Sequence, residues 1–300
     1  RNFLQNSLRG VRGIYDLARI KRKTDILIIH RALLSRDWDF LEKLALSGGP
    51  VVFDIDDAEF IKMKKKTEML FRESDAVLAG SHYIKEEAER FNDNVTLLPT
   101  GIDTENFRPM PQIQSEEDKF IVGWVGAAKS HRDNLELIIE PFEQLSREID
   151  KLELRLIGMN GADELKEKFK RSDISADLID WVNHEQIPEE INKFDVGIMP
   201  LVDNPWNRGK CALKALEYMS CGIPTVVSDV GENPQAVKQG DAGVMVENTI
   251  SSWKSAVSRL YRKPVERERL GEAGRKRVDE QYGLEKIAEK LSKSLHEFQP

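Results

Sequence analysis

Short apolar segments recur along this 300-residue chain, and amphipathic segments separate most of them. A first series lies at residues 25–30, 50–55, 75–80 and 94–99, and a second at 120–126, 152–158, 195–200, 223–228 and 242–247. Strands that alternate with helices form parallel sheets joined by right-handed crossovers. The chain is therefore predicted to be an α/β protein built from two units, with amphipathic helices over Leu135–Ile149, over Ala162–Phe169 and from Ile250 almost to the end.

A polar segment without periodicity separates the two series. It runs from Arg108 to Lys119 and contains two prolines, which is typical of a linker between domains. We predict a first domain over residues 1–110, a linker at 111–119, a second domain over 120–282 and a C-terminal helix over 283–300.

The net charge and the number of cysteines argue against several classes of protein. The net charge of −7 gives no overall attraction to nucleic acid, and no nucleic-acid partner is expected. The two cysteines, Cys211 and Cys221, are too few for a disulfide framework, and no apolar run reaches the length of a membrane-spanning helix. These features predict a cytoplasmic protein.

Residues 1–23 are basic in an otherwise acidic chain. They hold seven Arg and Lys residues against one Asp, together with an apolar side at helical spacing. Such a helix suits an anionic membrane surface, and Lys62, Lys64, Lys65 and Lys66 would extend the basic patch. A helix packed on its own domain, with solvated charges, is the alternative.

The segment from Arg208 to Gly231 combines a loop, a predicted helix and a buried strand. Ala212, Ala215, Leu216 and Met219 form an apolar stripe, and Lys210, Lys214 and Glu217 follow at i, i+4 and i+7 on the other side. Lysines near a helix N-terminus suit a phosphate or diphosphate, and the carboxylate could accept a hydrogen bond from a ribose hydroxyl. A surface ion pair between Lys214 and Glu217 explains the same residues.

The second half of this segment, Glu217-Tyr218-Met219-Ser220-Cys221-Gly222-Ile223-Pro224, resembles the donor-binding motif of retaining GT-B glycosyltransferases. The family includes bacterial cell-surface hexosyltransferases. The resemblance implies two Rossmann-like domains whose parallel sheets face each other across a cleft. It also implies a UDP- or GDP-sugar donor held by the second domain, a glycan or lipid-linked acceptor, and no metal or other cofactor. The family's first Glu is Gly209 here. The strand and glycine-rich loop with which the family's first domain opens are not found, so we expect either a lost amino-terminal part or a shortened, incomplete first domain.

The resemblance also implies roles for particular residues. The loop after the strand at 120–126 offers small residues at a strand end and two cations, where α/β proteins bind ligands. The residues expected to neutralise the leaving diphosphate are Lys129, Arg132 and Lys210. Those expected to bind the donor are Gly126, Gly209, Lys214, Glu217 and Gly231.

Acidic residues after the strand at 50–55 permit a rival interpretation. Asp54 and Asp56 form the Asp-x-Asp pattern with which haloacid-dehalogenase-type phosphatases bind magnesium and attack phosphate. In the glycosyltransferase interpretation Asp54, Asp56 and Asp57 would contact the acceptor, as would Gly101. Helix capping explains the same acidic residues. A protein that binds a nucleotide sugar without transferring it is a third possibility, because Gly209 replaces the expected Glu.

Overall fold

The computed structural model describes residues 25–33, 38–111, 119–237 and 242–298. Both the basic segment at 1–23 and most of the predicted linker at 111–119 lie outside these ranges. Contacts divide the chain into two units. The first contains the described residues up to Thr100, the segment Arg208–Cys211 and the residues from Glu289 onward; the second contains Gly101–Asn207 and Ala212–Ala288.

The first unit is built on a parallel sheet of four strands in the order β1-β2-β3-β4. The strands are β1 (Leu27–His30), β2 (Val51–Ile55), β3 (Ala76–Ala79) and β4 (Val95–Leu97). The helices α1 (Phe40–Leu46), α2 (Lys64–Glu73) and α3 (His82–Ala88) connect them, with a 3₁₀ turn at Glu59–Ile61. The central strand β3 is buried along its whole length, as its unbroken apolar sequence requires.

The second unit contains a parallel sheet of six strands in the order β10-β9-β8-β5-β6-β7. Its strands are β5 (Phe120–Val125), β6 (Leu152–Ile157), β7 (Ala176–Ile179), β8 (Val196–Met199), β9 (Thr225–Ser228) and β10 (Val244–Val246). The helices that follow Val125 are α4 (Arg132–Glu136), α5 (Ile139–Ser146), α6 (Asp163–Arg171), α7 (Ile187–Ile191), α8 (Pro205–Arg208), α9 (Leu213–Ser220), α10 (Asn233–Val237), α11 (Ile250–Arg262), α12 (Pro264–Gln281) and α13 (Leu284–Glu297). Two clusters of buried apolar side chains form its core, one containing Trp124 and Trp253 and the other Phe194 and Tyr218.

The end of α13 belongs to the first unit. Leu291, Leu295 and Phe298 pack on the cluster that includes Val52 of β2 and Leu78 of β3. These three residues recur at helical spacing, so one stripe of the helix covers one face of the four-stranded sheet.

The predicted α/β fold with two parallel sheets is confirmed, and all nine predicted strands are present. Strand β7 was not predicted, because it lies at the edge of its sheet and its four residues are only half-buried. The helix predicted over Leu135–Ile149 was wrong as a single element, since α4 ends at Glu136 and α5 begins at Ile139.

Candidate functional site

Loops at the carboxyl edge of the six-stranded sheet bring several of the predicted residues into one region. Gly126 directly follows β5, and its N–H donates to the carbonyl of Ile157 at the end of β6 (2.9 Å). Gly158 has φ +97°, and a Cβ placed there would lie 1.8 Å from the carbonyl oxygen of Gly126. Glycine is therefore required where the two loops approach each other most closely.

Lys129 lies on the turn that follows Gly126. The turn, Ala128–Ser130, is fixed by the Ala128 N–H, which donates to the carbonyl of Gly158 (3.0 Å). The Lys129 side chain is exposed, and within the described part of the chain no carboxylate forms an ion pair with it. It therefore presents a cation at the sheet edge where α/β proteins bind ligands.

Arg132, at the start of α4, forms ion pairs with two carboxylates on the surface. Its guanidinium contacts Glu136 (3.0 Å) and Glu164 (2.6 Å), and 48% of its side chain is exposed. The hydrogen bond to Glu136 and the charge of Glu164 raise the pKa of Arg132. An anionic ligand would have to compete with both carboxylates for this side chain.

A buried amide network joins the loop after β5 to the loop after β8. The Asn134 side-chain oxygen accepts from the Val202 N–H (2.8 Å) and from the Asn207 amide nitrogen (2.9 Å). Asn134 and Asn207 are 4% and 5% exposed. Its burial and these hydrogen bonds assign the Asn207 amide to holding α4 and the loop after β8 together.

Helix α9 carries Lys214 and Glu217 but not Lys210. The helix begins at Leu213 because Ala212 has φ +57°. This left-handed conformation is not compatible with a right-handed helix, so Ala212 and the residues before it are not part of α9. The predicted apolar stripe is confirmed, since Ala212, Ala215, Leu216 and Met219 are all at most 1% exposed.

Lys214 and Glu217 form the ion pair that their spacing allows. The ammonium lies 3.2 Å from the carboxylate, whose side chain is only 7% exposed. A buried carboxylate needs a partner, and the Lys214 ammonium supplies it here. The pair thus places one positive and one negative group on the first two turns of α9.

Gly209 and Lys210 belong to the first unit. The Lys210 ammonium lies 2.9 Å from the carboxylate of Asp57. A Cβ at position 209 would lie 2.6 Å from the Cβ of Ala58, so the packing leaves no space for the glutamate of the family pattern.

The acidic residues after β2 meet a basic segment after β1. Strands β1 and β2 pair with His30 opposite Asp54, and the His30 Nδ1 lies 2.7 Å from that carboxylate. Arg31 donates to both oxygens of Asp56 (2.5 and 2.8 Å) and reaches Asp57 (3.1 Å).

His30 and Arg31 were not predicted as site residues from the sequence. His30 is the last residue of β1 and Arg31 follows it, and β1 pairs with β2, the strand that leads into Asp54–Asp57. Burial raises the pKa of Asp56, but the hydrogen bonds and charge of Arg31 outweigh this effect and lower it overall. In the phosphatase interpretation Asp56 would be the general acid, yet a guanidinium occupies both of its oxygens. Across the described ranges, no cluster of three or more His, Cys, Asp or Glu residues could hold a metal ion.

Gly231 and Gly101 both belong to the second unit, but only Gly231 lies in a turn. Gly231 follows β9 with φ +64°, which favours glycine. Nearby, the Asn233 amide donates to the carbonyl of Ser228 (3.1 Å) and holds this turn on the strand. At Gly101 a Cβ would lie 3.0 Å from the side chain of Leu284, so packing accounts for that glycine.

No helix in the described ranges is both long and apolar enough to cross a membrane. Lys66 does not extend the basic patch as expected, because its side chain is 1% exposed and is paired with Glu42.

Residues 119–263 match the family model of glycosyl transferases group 1. N-acetyl-alpha-D-glucosaminyl L-malate synthase of Bacillus anthracis is 26% identical over 229 residues, which are 72% of this chain and 58% of the relative. A GDP-mannose-dependent alpha-(1-6)-phosphatidylinositol monomannoside mannosyltransferase of Mycobacterium tuberculosis (strain H37Rv) is 24% identical over 74% of this chain and 62% of its own length.

Two solved structures share the fold. Sucrose-phosphate synthase from Thermosynechococcus elongatus superposes with a TM-score of 0.76 at 19% identity, over 95% of this chain and 76% of the other. HepE from Anabaena, in complex with UDP and glucose, also superposes with a TM-score of 0.76, at 14% identity over 93% of this chain and 80% of the other. The chain spans between about a third and three fifths of the length of the first curated relatives it matches.

Proposed function

We propose that this chain, whose residues 119–263 carry the group 1 glycosyl transferase match and whose two sheets have the GT-B fold, is a retaining glycosyltransferase. It would move a hexose-type sugar from a UDP- or GDP-sugar to a glycan or lipid-linked acceptor. The observation that carries the proposal is that the family match begins just before β5 and includes all six strands of the second sheet. The loops at the carboxyl edge of that sheet hold most of the predicted donor contacts.

The second unit would bind the nucleotide-diphosphate part of the donor. Lys129 supplies an exposed cation after β5, and Lys214, which is paired with Glu217 and 22% exposed, supplies a second cation on α9. Negative charge accumulates on the diphosphate as the glycosidic bond breaks, so fixed cations stabilise the transition state more than the bound donor. Glu217, held by Lys214, would accept a hydrogen bond from a ribose hydroxyl. The turns at Gly126 and Gly231 would let the donor approach the backbone.

Arg132 and Lys210 would join the diphosphate only by exchanging partners. Arg132 would leave Glu136 and Glu164, and Lys210 would leave Asp57. These side chains, and no metal ion, would then neutralise the diphosphate.

The acceptor contacts are proposed for the first unit. A cluster at the carboxyl edge of the four-stranded sheet contains Asp54, Asp56 and Asp57 together with His30 and Arg31. Gly101 also stays a proposed acceptor-side residue, although it belongs to the second unit and not to the first. The domain limits at 110 and 120, the cytoplasmic location and membrane attachment through residues 1–23 are part of the same proposal.

The similar proteins indicate two candidate nucleotide bases for the donor, uracil and guanine. One solved relative holds UDP and glucose, and one curated relative is named as GDP-mannose-dependent. A direct comparison of UDP- and GDP-sugars is therefore the first experiment.

Isothermal titration calorimetry of the full chain with UDP, GDP, UDP-glucose and GDP-mannose tests the donor site, first in EDTA and then in magnesium. We expect metal-independent binding of one diphosphate, weakened about tenfold or more in Lys129→Ala and in Lys214→Ala, because each variant removes a charge-assisted contact. Lys254→Ala is the matched control, since Lys254 lies on α11 and pairs with Glu148. Absence of binding under both conditions would contradict the donor-site assignment.

Transfer and its stereochemistry are tested separately. Proton NMR of the product formed from the preferred donor would show an axial or equatorial anomeric bond, and inversion would contradict the retaining mechanism. Tight donor binding without transfer to any acceptor would favour the binding-only alternative. Phosphatase activity that requires magnesium and is lost in Asp54→Asn would contradict the transferase assignment.

A further inference from the structure

The sheet of the second unit opens between β5 and β8 at its carboxyl edge. Strand β5 pairs with β6 along its whole length, from Phe120 to Val125. Against β8, however, the described register covers only Val122 and Gly123. The chain proceeds from β5 to β6 and β7 on one side and returns to β8 on the other. The opening therefore lies at the point of the sheet where α/β proteins bind ligands.

A tyrosine from α9 fills this opening. The Val125 N–H donates to the Tyr218 hydroxyl (2.9 Å), whereas the next N–H along the chain, that of Gly126, donates to β6. Successive residues of a strand point their N–H groups to opposite sides, so the hydroxyl takes the place that a carbonyl of β8 would otherwise occupy. Val125 and Tyr218 are 4% and 0% exposed, and a buried N–H that loses its acceptor is destabilising.

Two glycines make space for this arrangement. Gly123 and Gly197 are paired in the register of β5 against β8, and a Cβ at Gly197 would lie 2.5 Å from the Tyr218 ring. A Cβ at Gly123 would lie 2.2 Å from the ring of Phe194, which packs edge-on against Tyr218 with the ring centroids 6.1 Å apart. Glycine inside a strand is typical of a place where another group approaches the backbone closely. The sequences of both strands are therefore adapted to the tyrosine.

The Tyr218 hydroxyl connects two parts of the proposed donor site. Tyr218 lies one turn after Lys214 on α9, and Val125 precedes the turn that carries Lys129. Burial raises the pKa of Tyr218, so the hydroxyl stays neutral while it accepts the hydrogen bond. This buried hydrogen bond thus joins the helix that presents one cation to the strand that leads to the other.

We propose that Tyr218 is a positioning residue of the donor site, whose hydroxyl fixes α9 against the end of β5 and so sets the spacing between Lys129 and Lys214. This role rests on the proposed function, because the spacing matters only if the two cations hold one diphosphate. Since its side chain is fully buried, Tyr218 would act through these cations and would not touch the donor. A tyrosine with a purely structural role would contribute to stability and leave donor affinity unchanged.

Calorimetric titration of the full chain with UDP and GDP compares the wild type with Tyr218→Phe, which keeps the ring and removes only the hydroxyl. We expect Tyr218→Phe to bind the preferred diphosphate roughly tenfold more weakly, because displaced cations make poorer contacts with phosphate. In a transfer assay its kcat should fall roughly a hundredfold, more than its KM rises, since negative charge on the diphosphate grows towards the transition state.

Asp195→Leu is the matched control at the other end of the same strand. The Asp195 carboxylate accepts from the Ile121 N–H (2.8 Å), and Ile121 is 6% exposed, so this variant also removes the acceptor of one buried amide of β5. Both variants should lower the midpoint of thermal unfolding, but below that midpoint Asp195→Leu should bind the diphosphate like the wild type. Hydrogen exchange of residues 125–130 in the free protein should be faster in Tyr218→Phe and unchanged in Asp195→Leu.

Three results would overturn the role of Tyr218 while the proposed function stands. In the first, the wild type binds a diphosphate and Tyr218→Phe binds it equally tightly. In the second, Tyr218→Phe and Asp195→Leu weaken binding equally, which is the result of a purely structural role. In the third, hydrogen exchange of residues 125–130 is the same in Tyr218→Phe as in the wild type. Absence of diphosphate binding by the wild type would instead contradict the proposed function itself, and the role of Tyr218 with it.

Discussion

The glycine at position 209 allows a quantitative test of how the Arg208–Cys211 segment is packed. Gly209 is not among the glycines with positive φ, so backbone strain does not require it. A Cβ there would instead lie 2.6 Å from the Cβ of Ala58, 3.1 Å from its nitrogen and 3.3 Å from its Cα. Carbon atoms normally approach to about 3.5–4.0 Å, so Gly209→Ala requires a shift of about 1 Å.

The expected size of the effect follows from two opposing contributions. Overpacking of a buried contact destabilises by about 1–3 kcal/mol. Replacing glycine by alanine restricts the unfolded chain and stabilises by about 0.4–1 kcal/mol. We therefore expect Gly209→Ala to lower the free energy of unfolding by about 1–2 kcal/mol, and Gly209→Glu to lower it further, although glutamate is the residue of the family pattern.

Urea denaturation followed by tryptophan fluorescence measures this change. Adding Ala58→Gly should recover most of the loss in Gly209→Ala, because it removes the atom at 2.6 Å, and the double-mutant cycle should show a coupling of about 1 kcal/mol or more. Gly283→Ala is the control, since a Cβ there would meet no atom closer than 3.6 Å. The steric explanation is refuted if Gly209→Ala is as stable as the wild type, or if Ala58→Gly restores nothing.

Three further predictions concern the second unit and use the same denaturation assay. Gly158→Ala should destabilise by about 3 kcal/mol or more, because it combines φ +97° with a Cβ 1.8 Å from the Gly126 oxygen; an unchanged midpoint would show that the two loops separate easily. Asn134→Leu should destabilise by about 2–4 kcal/mol, because the Val202 N–H and the Asn207 amide lose their acceptor; a loss below about 1 kcal/mol would mean that solvent reaches both donors. Burial raises the pKa of Asp195 above its ordinary 3.8, so between the unfolded and the folded pKa the folded protein binds more protons than the unfolded one. The stability of the wild type relative to Asp195→Asn should therefore fall as the pH rises from the unfolded to the folded pKa of this group. A pH-independent difference between the two proteins would contradict this.

The sequence was sufficient for the fold where hydrophobic patterning is strong. Strands such as β3 and β8 are apolar throughout and buried on both faces, so their existence and parallel arrangement follow from the runs and their spacing. Strand β7 could not be recognised, because a half-buried edge strand of four residues carries no such run.

The candidate site was predictable only in part, because contacts distant in sequence decide the geometry. Helical spacing grouped Lys210 with Lys214, yet the left-handed Ala212 separates them and Asp57, 153 residues away, pairs with Lys210. The pairing of His30 with Asp54 depends on the register of β1 against β2, which no local pattern specifies. The ion pair between Lys214 and Glu217 was foreseeable, because it depends only on spacing within one helix.

The way the first unit is assembled from separate stretches of chain has a consequence for biosynthesis. Its four described strands have all been made once Leu97 is synthesised, but Leu291, Leu295 and Phe298, which cover one face of that sheet, are synthesised much later. Residues 101–288 are synthesised in between, which takes roughly 10–40 s at about 5–20 residues per second. During that interval the apolar face around Val52 and Leu78 is not covered by α13. The nascent chain at this stage is the form of the protein that would bind a chaperone.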